Sequence, residues 1–236
     1  MNPKLRYSLA AAGLALALAS AIPAVADDTP LDLHASANKA KPDKKPKDAP
    51  PAPDLTPDQI VANANAYFDG ARVMTADFVQ IGPDGTRSEG ELYVSRPGKM
   101  LFKYNPPQKM EIIADGRSVA VVDQKLGTQD EYFIGQTPLK FLLADHIDLA
   151  KDTHVKRAQI DSTAATVEIV DKATFGGTAD ITLMFDPQTF ALKQWTVVDA
   201  QGFQTVVSLF DIDLVSKPDP QLFHIEEITP ASRNLR

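Results

Sequence analysis

SEGELYVSRPGKMLFKYNPPQKMEIIADG, residues 88–116, decides the fold. Leu92 and Val94 alternate with Glu91, Tyr93 and Ser95, the period of two that marks a strand with unlike faces. Past an Arg-Pro turn, Met100, Phe102 and Tyr104 share one side of the next strand. Together these runs predict a half-open sheet with an apolar concave face. Arg96 sits between them, in a turn placed to aim its guanidinium across the mouth of whatever the sheet encloses.

Working outward, Thr56-Pro57-Asp58 is a helix start, with Thr56 as N-cap and Pro57 at the first helical position, and the helix is expected to run to about Asp69. Ile60, Val61, Ala64 and Tyr67 or Phe68 recur at helical spacing, so one face should lie on the sheet. Turn signals follow at Gly82-Pro83-Asp84-Gly85, Arg96-Pro97-Gly98, Asn105-Pro106-Pro107, Asp115-Gly116, Lys125-Leu126-Gly127, Gly176-Gly177, Asp186-Pro187 and Ala200-Gln201-Gly202. Between them lie about eleven short strands, an antiparallel meander and not a βαβ pattern. Thr137-Pro138 interrupts the meander. Thr137 is read as the cap of a short helix, and Leu139, Phe141, Leu142 and Leu143 are too apolar for a solvated loop, so this helix must cover something. No clear second helix follows through Ile147 and Leu149. In the second half, Ile181, Leu183 and Phe185 face one way, Trp195 and Val197 precede a turn, and Phe203, Thr205, Val207 and Leu209 follow it.

The N-terminus reads as an export leader. Lys4 and Arg6 precede the apolar run 9–22, and Ala24-Val25-Ala26 supplies a small-residue cleavage site, so cleavage is expected after Ala26. No second apolar run approaches the roughly 18 residues of a spanning helix. Residues 27–54 hold six prolines, from Pro30 to Pro53, and five lysines, from Lys39 to Lys47; this composition predicts a disordered, polyproline-biased linker ahead of one domain, 55–236. The chain contains 0 cysteines, which removes a disulfide framework and the acylated cysteine of a bacterial lipoprotein. Net charge is −7; without Lys4 and Arg6, 22 basic residues face 31 acidic ones, or −9, a surface that argues against nucleic acid as partner.

Catalysis has little support. His34, His146, His154 and His224 are scattered without metal-ligand spacing, no nucleophile elbow or Ser-x-x-Lys motif occurs, and the Asp-Gly and Asp-Pro pairs are turn chemistry. Neither a cofactor nor a metal is expected, and the protein is read as a non-enzyme.

Gly90-x-Leu92-x-Val94-x-Arg96-Pro97, the basic and aromatic strand after it, Ala114-Asp115-Gly116, and the later Trp195-x-Val197-x-Asp199-x-x-Gly202 hairpin together resemble the LolA family, periplasmic carriers of outer-membrane lipoproteins. The resemblance spans roughly residues 55–228. It implies a mainly β fold: an incomplete antiparallel β-barrel with an N-terminal helix and a short helical lid, LolA/LolB-like. Leu139, Phe141, Leu142 and Leu143 would form the lid's central part, and Arg96 would be its latch, bonded to the lid in the closed form. Leu92, Val94, Met100, Phe102, Tyr104, Leu183, Phe185, Trp195, Val197 and Phe203 would line a cavity for acyl chains.

The resemblance also implies a periplasmic monomer that binds acylated lipoproteins, an inner-membrane exporter (LolCDE-like) and an outer-membrane acceptor (LolB-like). Alternatives stay open from the residues alone. Arg96 reads equally as a surface turn residue with a carboxylate partner, the aromatics as ordinary sandwich core, and residues 139–143 as a packed connection inside a closed barrel. For function, the alternatives are a LolB-like acceptor or dual carrier and acceptor, a lipoprotein-sensing regulator, and a carrier of another lipid.

Overall fold

The computed structural model describes residues 51–137, 140–174 and 177–226. The expected leader 1–26, most of the expected linker 27–54 and Leu139 of the expected lid lie outside the described residues. Helix α1 (Pro57–Gly70) begins as its sequence dictates: the Thr56 hydroxyl accepts from the Gln59 amide while the Gln59 side chain accepts from the Thr56 N–H, a reciprocal capping box. Ile60, Val61, Ala64 and Phe68 are its buried stripe.

Eleven strands follow among the described residues: β1 (Val73–Ile81), β2 (Arg87–Ser95), β3 (Lys99–Tyr104), β4 (Met110–Asp115), β5 (Ser118–Asp123), β6 (Thr128–Phe133), β7 (His154–Ile160), β8 (Ala165–Thr174), β9 (Gly177–Phe185), β10 (Leu192–Val198) and β11 (Gln204–Asp213). They form one antiparallel sheet in the order β6-β5-β4-β3-β2-β1-β11-β10-β9-β8-β7. Two meanders are thus joined where β1 pairs with β11, with Phe78 opposite Leu209 and Gln80 opposite Val207. β6 and β7, consecutive in the chain, end at opposite edges. The chain between them carries a 3-10 turn (Ile134–Gln136) and two one-turn helices, α2 (Lys140–Leu143) and α3 (Leu149–Asp152).

The sheet is rolled. β3 and β10 are four strands apart in the order, about 19 Å along a flat sheet, yet the rings of Phe102 and Trp195 meet edge to face at 6.2 Å. Phe78 packs likewise on Phe102 at 5.0 Å and on Tyr104 at 5.1 Å. Helix α1 closes part of the concave side by setting Phe68 on Phe185 at 5.8 Å. This is the incomplete antiparallel barrel with an N-terminal helix and a short helical lid that the family resemblance implies.

Three local features differ from expectation. Thr137 does not cap the lid helix: its hydroxyl donates back to the Ile134 carbonyl at 2.9 Å, closing the 3-10 turn, and α2 starts only at Lys140. The stretch after it does contain a helical turn, α3, because Asp148 accepts from the Lys151 amide and caps it. A second apolar cluster, absent from the sequence reading, lies on the convex face, where Leu101, Ile113, Ala120 and Val122 pack against Phe223 of a C-terminal 3-10 turn (Pro220–Phe223).

Gly90 allows the tightest approach in the sheet. A Cβ there would lie 2.1 Å from the Lys103 carbonyl oxygen and 2.8 Å from the Phe78 ring. Gly90→Ala is therefore expected to lower unfolding free energy by about 2 kcal/mol or more. Denaturant melts check this; a variant as stable as its parent would mean that ring and carbonyl give way freely.

Candidate functional site

The concave face leaves a small cavity where β1, β2, β3, β10 and β11 approach the end of α1 and the lid. Leu92, Val94, Met100 and Trp195, all named from sequence, line it, and Leu142 of α2 closes it. Arg96 also lines it, and Phe68, Ala71, Met74, Leu192 and Leu209, not singled out as cavity residues, complete the lining. The signal for Phe68 was present in the apolar stripe of α1, and that for Met74 and Leu209 in the alternation of β1 and β11. Phe102, Tyr104, Leu183, Phe185 and Val197 are buried in the same continuous core, beyond the cavity itself.

Phe203 is a correction. Its alternation with Thr205 and Val207 is right, but β11 begins at Gln204 and the last β10 pair is Val198 with Gln204, so Phe203 stands in the turn beyond the wall, 52% exposed. Leu143 is buried, whereas the side chain of Phe141 lies outside the described residues.

The free space in the cavity is about 20 Å³, little more than a water molecule occupies. An alkyl chain can enter only if the lid or the walls move. What holds the lid therefore controls the site. Leu143, Ile147 and Leu149 bury it in the core, and its polar contacts are spread over both halves of the sheet. The Gly98 amide, in the β2–β3 turn, donates to the Leu143 carbonyl at 2.8 Å. From the other half, Lys140 Nζ meets the Asp171 carboxylate of β8 at 2.9 Å, with Asp171 only 3% exposed. Residues 145–149 are stitched to α1 and the residue just past its cap: Arg72 to Asp145, His146 Nδ1 to Asp69 at 2.9 Å, and the Leu149 amide to Asn65 Oδ1 at 3.1 Å. The Arg72 and His146 contacts are exposed, the class that contributes least, whereas the Leu149 bond is part-buried.

Among the described residues Arg96 makes no bond to the lid. Its Nε and Nη2 both donate to the Ala71 carbonyl, at the C-terminal cap of α1, and the lid bond is made two residues later by Gly98. The physical reason lies in α1, which has no basic residue in its last turn. A helix C-terminus presents unpaired carbonyls and partial negative charge, and Arg96 supplies the missing cation from another element. Nor is it a surface residue: it is 8% exposed, and burial pulls its pKa below the ordinary guanidinium value, with Arg72 nearby acting in the same direction. An arginine stays charged through such a shift.

The other buried polar pair in this core is Tyr104 and Gln80, whose hydroxyl-to-amide-oxygen bond is 2.8 Å. Burial pushes the Tyr104 phenol well above its usual range, so it remains a donor at every physiological pH.

Lys140→Met removes the cation facing a carboxylate that water does not reach. It should cost about 2 kcal/mol of stability and speed amide exchange in residues 140–153, whereas Arg72→Ala at the exposed pair should cost less than about 1 kcal/mol. Hydrogen exchange read by mass spectrometry separates the two. Equal protection of the lid in parent and Lys140→Met would remove the ion pair from the lid's restraints. Tyr104→Phe, by orphaning the Gln80 oxygen, should lower stability by about 1–3 kcal/mol, measured by thermal unfolding; no change would mean that the amide finds another donor.

A family model described as outer membrane lipoprotein carrier protein LolA matches residues 69–226. The outer-membrane lipoprotein carrier protein of Nitrosospira multiformis is 25% identical over 172 residues, covering 69% of this chain and 82% of that protein. Its counterpart from Chromobacterium violaceum is 36% identical over 69 residues, 28% of this chain and only 34% of that protein. Among solved structures, a LolA superfamily protein from Nitrosomonas europaea matches with a TM-score of 0.42 and 13% identity, over 72% of this chain and 98% of that one. Since the family model spans well over half of the 236 residues, the chain belongs to the LolA family.

Proposed function

We propose that this protein is a periplasmic carrier that takes up the acyl chains of lipoproteins leaving the inner membrane, shields them from water, and passes them to the outer membrane. The observation that carries the reading is the apolar cavity between a rolled sheet and a short helical segment whose Leu142 closes it. Family membership supports the cargo class. The leader 1–26 supports export, the linker 27–54 gives the domain reach, and among the described residues no helix is long and apolar enough to cross a membrane.

The energetics suit a carrier more than a store. Each methylene buried is worth about 0.8 kcal/mol, so a lipid anchor with dozens of methylenes has ample gross driving force. Part of that is consumed in opening a cavity whose walls otherwise fill it, and that opening cost keeps the cargo exchangeable. Catalysis has no part in this. Loading would occur at a LolCDE-like exporter and unloading at a LolB-like acceptor, with the carrier acting as a monomer.

The test is to incubate the mature chain with spheroplasts bearing a labelled lipoprotein and to ask whether label appears in a soluble one-to-one complex. Leu142→Glu, a charge at the cavity roof, should reduce that release several-fold with little change in melting temperature, because Leu142 is only half-buried. No release by the parent, with phospholipid co-purifying instead, would replace lipoproteins by free lipid as cargo. A large loss of melting temperature in the variant would make Leu142 part of the core and not a mobile roof.

A further inference from the structure

Arg96 has one donor group that the fold leaves unused. Nε and Nη2 both go to the Ala71 carbonyl, but Nη1 is buried and has no hydrogen-bond partner among the described residues. The side chain lines the cavity beneath Leu142, beside Phe68, Leu92 and Val94, none of whose side chains offers an oxygen. A guanidinium N–H held away from water without an acceptor is unfavourable, and the penalty vanishes when an acceptor arrives. The two bonds to Ala71 fix the guanidinium plane, so Nη1 is already oriented and little ordering is needed on binding.

We propose that Arg96 Nη1 is a recognition point for the carbonyl oxygen of an ester- or amide-linked acyl chain, seating the polar root of the chain under the lid while its alkyl part runs along the Leu92, Met100 and Trp195 wall. The proposal rests on the carrier reading and names the chemistry of that site. A neutral acceptor fits better than a second anion. Around Arg96 stand the carboxylates of Asp69 and Asp145 and the guanidinium of Arg72, so the cationic charge of the pair of arginines is already matched. A carbonyl accepts one N–H without adding charge to that set, and a hydrocarbon lacking it leaves Nη1 unmet.

The experiment compares two probes that differ only in carbonyl oxygens, dimyristoylglycerol and its ditetradecyl ether counterpart, titrated into the mature chain. Trp195, the 1 tryptophan of the sequence, lines the cavity and reports occupancy by its fluorescence. The parent should bind the ester about tenfold tighter than the ether, the worth of one charge-assisted hydrogen bond. In Arg96→Met that ratio should fall to near one, and in Arg72→Ala it should persist. Because the ratio is taken within each protein, any loosening of α1 or the lid that weakens both probes alike cancels. Equal binding of the two probes by the parent overturns the assignment even if the variant fails to fold, as does an ester preference that survives Arg96→Met. A parent that binds neither probe overturns the carrier reading itself.

Discussion

Pairing of the first strand with the last sets the shape of this molecule. With β1 laid against β11, two local meanders become one sheet, and the strands that meet in the chain, β6 and β7, are sent to its two free edges. The connection between them must then cross the opening. It is not a loop that happens to contain apolar residues. It is the segment whose path is dictated by the sheet order, and burying Leu143, Ile147 and Leu149 along that path covers a concave face that would otherwise be wet.

Covering the face in this way leaves the two sides of the lid unequally held. Its apolar residues reach the core from above, but its polar restraints are single contacts on separate elements: Gly98 from one meander, Asp171 from the other, and Asn65, Asp69 and Arg72 from the end of α1. Each exposed contact contributes little, and loss of one does not free the rest. The Lys140–Asp171 pair is different, since removing the cation from a carboxylate at that depth is costly. Among its polar contacts the lid's deepest tether is at β8, while Ile147 and Leu149 hold its α1 side by burial. Arg96 acts on it at one remove, by fixing the end of the helix to which residues 145–149 are stitched.

How far the residues themselves disclosed this depends on the range of the interaction involved. Alternation in β2 and in the Trp195 strand placed Leu92, Val94, Trp195 and Val197 on the concave face because a strand's two faces need no knowledge of its partners. The capping box of α1 was equally local. Phe203 failed because alternation says nothing about where pairing stops, and one residue past the last pair a side chain has no wall to join. Thr137 failed because a hydroxyl that can cap forward can also bond backward, and the 3-10 turn before it won. The convex cluster was hidden in runs such as Met100-Leu101-Phe102 and Ile112-Ile113-Ala114, where loss of alternation means burial on both faces but does not name the covering segment.

Arg96 is the hardest residue to place from sequence, since its role is set by a helix end 25 positions away. An exposed turn arginine and a buried cavity arginine have the same local sequence. What distinguishes them is the electrostatic demand of α1, whose last turn lacks a cation and whose terminal carbonyl lies against the cavity mouth. Burying a cation in an apolar chamber is tolerable only because that carbonyl and the neighbouring carboxylates answer it. The same arrangement keeps the cavity from being uniformly apolar. A purely hydrocarbon chamber would hold an alkyl chain in any sliding position, whereas one fixed donor near the mouth sets where the polar end of a guest must stop. Position along the chain is thereby decided by one hydrogen bond while affinity is left to non-directional burial, and the two can be adjusted independently.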